Sequence, residues 1–92
     1  MTNEIQLFMR AILNKHSNDF NEDDINNVKH YIKFDEYEMA FESLILSCIE
    51  HKIFLTSHEI DKFKLYINAF NLKENSVYVL NIEDLFDKNY NT

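Results

Sequence analysis

Four histidines (His16, His30, His51 and His58), a single cysteine (Cys48) and several carboxylates spaced four residues apart are the groups in this chain that could do chemistry. The histidines show neither the H-x3-H nor the H-E-x-x-H spacing, and no second thiol joins Cys48, so neither a metal site nor a cofactor is expected. His51 falls near the end of an apolar segment that reads as a helix, where a cation suits the negative end of the helix dipole. Cys48 lies within that same segment and reads as a buried structural thiol, since a nucleophilic thiolate needs a nearby base and an electropositive setting. Glu38 and Glu42 stand at i, i+4, which is the spacing of an acid/base pair and equally of any charged helix surface. The chain has no glycine, which rules out a glycine-rich phosphate loop. An enzyme is not expected.

The elements that must position these groups follow from composition. The 92 residues are 46% hydrophobic and 14% aromatic, enough for one packed core, and we expect a single domain over residues 1–92. Glycine and proline are both absent, which removes the usual punctuation of hairpins and long loops and favours helices joined by short polar turns. Asparagine is available for the left-handed positions glycine normally takes. A lone cysteine excludes an internal disulfide. The start, MTNEIQLF, has no basic leader region, and no apolar run approaches membrane-spanning length, so a cytoplasmic location without membrane contact is expected.

The spacing predicts an all-α fold: a compact bundle of four main helices, then a short irregular or extended segment and a short C-terminal helix. Ile5, Phe8, Met9 and Ile12 mark one face of the first helix, from Asn3, with Gln6 completing a capping box, to about Lys15. Asn21 caps the second, whose first turn carries Glu22, Asp23 and Asp24 and whose inner face is Ile25, Val28 and Ile32. Asp35 is the expected cap of the third helix, which runs to about His51. Tyr37, Ala40, Phe41, Leu44 and Cys48 share one face there, but Met39, Leu46 and Ile49 lie opposite. A helix apolar nearly all round in its second half should be enclosed by the others. Thr56 with Glu59 is a capping box, and Leu55 with Ile60 a hydrophobic staple, at the start of the fourth helix. Ile60, Phe63, Tyr66, Ile67 and Phe70 form its inner face, with Asn71 as left-handed terminator. Val77 to Leu80 is β-prone, and a last short helix is expected from Asn81.

The net charge of −7, with an isoelectric point near 4.9, argues against a phosphate-binding surface and so against direct nucleic-acid binding. Between Asp19 and Glu42 there are eight acidic and two basic residues, a balance of −6 that accounts for nearly the whole net charge. Tyr31, Phe34 and Tyr37 are interleaved with these carboxylates. Carboxylates around exposed aromatics suit a basic protein partner, with charge raising the association rate and a desolvated tyrosine supplying a hot spot. The competing reading is a solvated acidic face whose charges serve helix dipoles and solubility.

Glu36-Tyr37-Glu38, Ala40-Phe41-Glu42, Leu44, Glu50, Ile53, Leu55-Thr56 and Glu59 together resemble the core of the Maf-type and contact-dependent-inhibition immunity proteins. That family pattern is an EYE-x-AFE-x-L helix, then an acidic residue, an I-x-LT link and a further helix. The resemblance covers roughly Ile32 to Leu72. It implies an all-helical cytoplasmic immunity protein that binds and blocks the basic toxin domain, commonly a nuclease, of a cognate effector, while composition alone leads us to expect a monomer or small homo-oligomer. Carried onto this chain it points to Glu36, Tyr37, Glu38 and Glu42 as partner-binding residues. Charge alone adds Asp23, Asp24 and Asp35. The alternative is an acidic helical adaptor or regulatory domain that binds an intracellular protein with no toxin involved.

Overall fold

Three residues with positive φ, Asp35 (60°), Lys52 (52°) and Asn71 (56°), each follow the C-cap of a helix and set the course of the chain. In the computed structural model, which describes residues 2–72, the helices are α1 (Thr2–Lys15), α2 (Glu22–Lys33), α3 (Tyr37–Glu50) and α4 (Ser57–Ala69). These form a compact all-α domain, with no strand among the described residues. The expected extended segment at Val77 to Leu80 and the helix from Asn81 lie outside the described residues.

A left-handed residue lets the backbone fold back on the last helical carbonyls, and with no glycine in the chain Asp, Lys and Asn take that role. At the end of α2, Asp35 N–H bonds to Ile32 C=O at 3.1 Å and Glu36 N–H to Tyr31 C=O at 2.9 Å. The same pair recurs after α3, from Lys52 N–H to Ile49 C=O (3.3 Å) and from Ile53 N–H to Cys48 C=O (3.0 Å). Both are Schellman closures. This corrects the expected role of Asp35. It terminates α2 rather than capping α3, whose cap position passes to Glu36, with no side-chain hydrogen bond. The turn is too short for one residue to hold both conformations, because an N-cap needs extended backbone and this terminator needs the left-handed region.

Other helix starts agree with the sequence reading. Asn21 Oδ1 accepts from Asp24 N–H at 2.9 Å, and Thr56 and Glu59 make both bonds of the capping box, at 3.2 and 2.8 Å. Leu55 and Ile60, the staple pair, are both buried. The first helix differs: it begins at Thr2, and Gln6 donates to the Tyr37 hydroxyl at 3.2 Å instead of closing a capping box.

The tight α2–α3 turn makes these helices an antiparallel pair, the most extensively packed in the described fold, with α1 against both. Val28 and Ile32 of α2 and Ala40, Phe41, Leu44, Ile45 and Cys48 of α3 are buried, as are Ile5, Met9, Ile12 and Leu13 of α1. α4 joins through aromatic rings. Phe63 stacks on Phe41 with centroids 5.5 Å apart and meets Phe8 of α1 edge-on at 5.1 Å. Tyr66 and Phe70 both lie 5.9 Å from Phe41. The far side of α3 is not enclosed as its composition suggested: Met39, Leu46 and Ile49 stay exposed while Ser47 is buried.

Phe41→Ala should cost about 3–5 kcal/mol in urea denaturation, since it empties the ring cluster that holds α4. Lys52→Gly should instead stabilise by about 0.5–1 kcal/mol, because relief of left-handed strain exceeds the entropy cost of glycine.

Candidate functional site

The acidic run of the sequence divides in space. Asp35, Glu36, Tyr37 and Glu38 come together at the α2–α3 turn, where with Met39 and Phe70 they line an open depression of about 370 Å³. Asp35, Glu36 and Glu38 are exposed, Tyr37 is half-buried, and Phe34 beside them is 60% exposed. The Tyr37 hydroxyl donates to Asp35 Oδ1 at 3.0 Å and accepts from Gln6 Nε2 at 3.2 Å. These two bonds fix the ring between α1 and the turn, and with it one wall of the depression. Phe70 and Met39 were not among the expected site residues. Phe70 comes from the end of α4, and its position depends on long-range packing that no local pattern encodes.

Asp23 and Asp24 lie at the other end of α2. From Asp24 to the end of α2 at Lys33 the helix rises roughly 14 Å, so the two acidic groups are ends of a hairpin rather than one patch. Asp23 is exposed, whereas Asp24 is partly buried with Oδ2 only 2.6 Å from His51 Nε2. Phe20 meets the His51 ring edge-on at 6.3 Å. Glu42 departs furthest from expectation: it is buried, with about 9% of its surface exposed. Its i, i+4 spacing puts it on the same side of α3 as Glu38, yet it is covered while Glu38 is exposed.

A second polar locus joins α1 to α4. Glu59 Oε1 accepts from Thr56 N–H, while Oε2 lies 3.3 Å from Lys15 Nζ and 3.4 Å from His16 Nε2. Burial works to raise the Glu59 carboxyl, but the Thr56 N–H and the Lys15 and His16 contacts outweigh it and hold it below the ordinary carboxylate value. The Cys48 thiol is pushed up to about 12 by burial first and by the charge of Glu59 second. It is therefore a protonated, inert core thiol at neutral pH. Tyr66 is raised by burial and by the nearby charge of Glu4. No buried side-chain polar atom among the described residues lacks a hydrogen-bond partner.

Comparisons of the chain with protein-family models, with curated proteins and with solved structures find no match. Among the described residues no helix is long and apolar enough to cross a membrane.

The depressed Glu59 carboxyl fixes the sign of a pH effect. Its stabilising contribution is fully present above the unfolded-state value of 4.5 and is lost as pH falls through the lower folded-state value. Glu59→Gln should therefore be less stable than the parent protein at pH 7, with the gap in urea midpoints narrowing on acidification below that value. A gap independent of pH would show that the carboxylate charge is not the source.

Proposed function

We propose that the chain is a non-enzymatic immunity protein of the contact-dependent-inhibition type, which binds the basic domain of a cognate toxin, a nuclease, and occludes its active or substrate-binding surface. The observation that carries this reading is the depression at the α2–α3 turn, where three exposed carboxylates surround a fixed tyrosine and accessible apolar surface. A nuclease domain is basic where it grips its substrate, and an acidic surface of the right shape competes for that ground. The carboxylates of Asp35, Glu36 and Glu38 steer the encounter and Tyr37 supplies the desolvated contact, with Asp23 as a second point of charge at the far end of the hairpin. Glu42, being buried, serves the fold in this reading, and Asp24 is engaged with His51. The toxin and its inhibitor meet in the cytoplasm.

The second reading, an adaptor for an intracellular partner unrelated to toxins, uses the same surface. The identity of the bound protein separates the two.

Glu36→Lys combined with Glu38→Lys reverses two exposed charges. It should leave the helical circular dichroism unchanged and lower the urea midpoint only modestly, since Glu38 gives up a favourable place in the first turn of α3. Affinity for the cognate toxin domain should fall about tenfold or more, with most of the loss in the association rate at low salt, and cells expressing that toxin should lose protection. Full protection by the double variant would remove this face as the site. Binding of a non-toxin protein through the same face would favour the adaptor.

A further inference from the structure

Asp24, Glu50 and His51 bring three metal-ligating side chains to one place, with one donor atom from each lying within 4.8 Å of the other two. We infer that these residues form a divalent transition-metal site that clamps the start of α2 to the end of α3.

The topology explains why they meet. The α2–α3 turn sends the two helices back along each other, so the first turn of α2 lies beside the last residue and the C-cap of α3. The histidine and Asp24 stand twenty-seven residues apart in the chain, a separation outside any short metal motif, so the histidine spacing gave no sign of the site. The donors are one imidazole nitrogen and two carboxylate oxygens, a set suited to borderline ions of the zinc type rather than to calcium or magnesium, which take oxygen throughout.

The local geometry has the features such an ion requires. His51 Nε2 already faces Asp24 Oδ2 at 2.6 Å, and the His51 ring is braced by the edge of Phe20. Both of these ligands are partly buried, so their orientations are held by packing, while Glu50 is exposed and can swing to close the third position. An ion that holds nitrogen and oxygen at roughly 2.0–2.2 Å sets its ligands roughly 3.3 Å apart, so modest side-chain rotation converts the existing contact into coordination. Three protein ligands leave at least one position open, to water or to a side chain of a bound partner.

Titration of the metal-free full chain with zinc chloride, followed by calorimetry, should show one ion bound per chain, and cobalt(II) should shift the His51 ring signals in NMR spectra. Glu50→Gln, which leaves the Asp24–His51 contact in place, should weaken zinc binding at least tenfold, and His51→Gln should abolish it. Circular dichroism checks that each variant is folded; if His51→Gln does not fold, Glu50→Gln decides the matter alone. Unchanged zinc affinity in Glu50→Gln, or calcium and magnesium binding as tightly as zinc, would overturn the assignment. So would cobalt-shifted signals confined to residues 35–38, which would place the ion in the acidic depression instead.

Discussion

Asp35 holds a left-handed backbone at φ 60°, and most of the molecule's useful geometry follows from that residue. It lets α2 close on its own carbonyls and lets α3 begin at once. The chain reverses within three residues, Phe34 to Glu36. An antiparallel pair then follows, whose turn end collects Asp35, Glu36, Tyr37 and Glu38 and whose open end sets Asp24 against His51. A longer or more flexible connection would not bring either group together so reliably. The Tyr37 hydroxyl adds a side-chain brace by bonding both Asp35 and Gln6, which ties the turn to α1.

The other half of the fold depends on rings and on one carboxylate. Phe41, the most enclosed large side chain of α3's inner face along with Leu44 and Ile45, is the centre on which Phe63, Tyr66 and Phe70 of α4 converge. That convergence is what carries Phe70 to the wall of the depression. Glu59 closes its own helix start with one oxygen and holds Lys15 at the end of α1 and His16 just after it with the other. Local capping and tertiary docking therefore share a single side chain, and loss of its charge acts on both.

The elements written most plainly in the sequence were those fixed by local rules. The capping box at Thr56, the cap at Asn21 and the left-handed Asn71 each rest on contacts within a few residues, and each is present. The readings that failed needed information from elsewhere in the chain. Asp35 has the composition of a cap, but the need to terminate α2 took precedence over capping α3. Glu42 shares a helical stripe with Glu38, yet it is buried where Glu38 is exposed, a difference the local pattern does not encode. The pairing of Asp24 with His51 and the arrival of Phe70 beside Tyr37 are products of topology, and the acidic run looked like one patch because sequence distance conceals the roughly 18 Å length of α2.

The charge at the turn exceeds what the fold accounts for. Glu22, Asp23 and Asp24 stand in the first turn of α2 and Glu38 in that of α3, where negative charge meets the positive end of the dipole and contributes roughly 0.3–1 kcal/mol each. Asp35 stands in neither first turn. It lies between the negative end of α2 and the positive end of α3, where the two dipoles oppose. Asparagine would adopt the same left-handed backbone and accept the same hydrogen bond from Tyr37. Glu36 occupies the cap position of α3 without making a cap hydrogen bond, where serine or asparagine would serve the helix better. The two turn carboxylates belong to the net charge of −7, and among the described residues their mutual repulsion is offset inside the fold only by the hydrogen bond that Tyr37 gives Asp35. Their charge is directed outward, at the rim of a depression whose tyrosine is held by two hydrogen bonds.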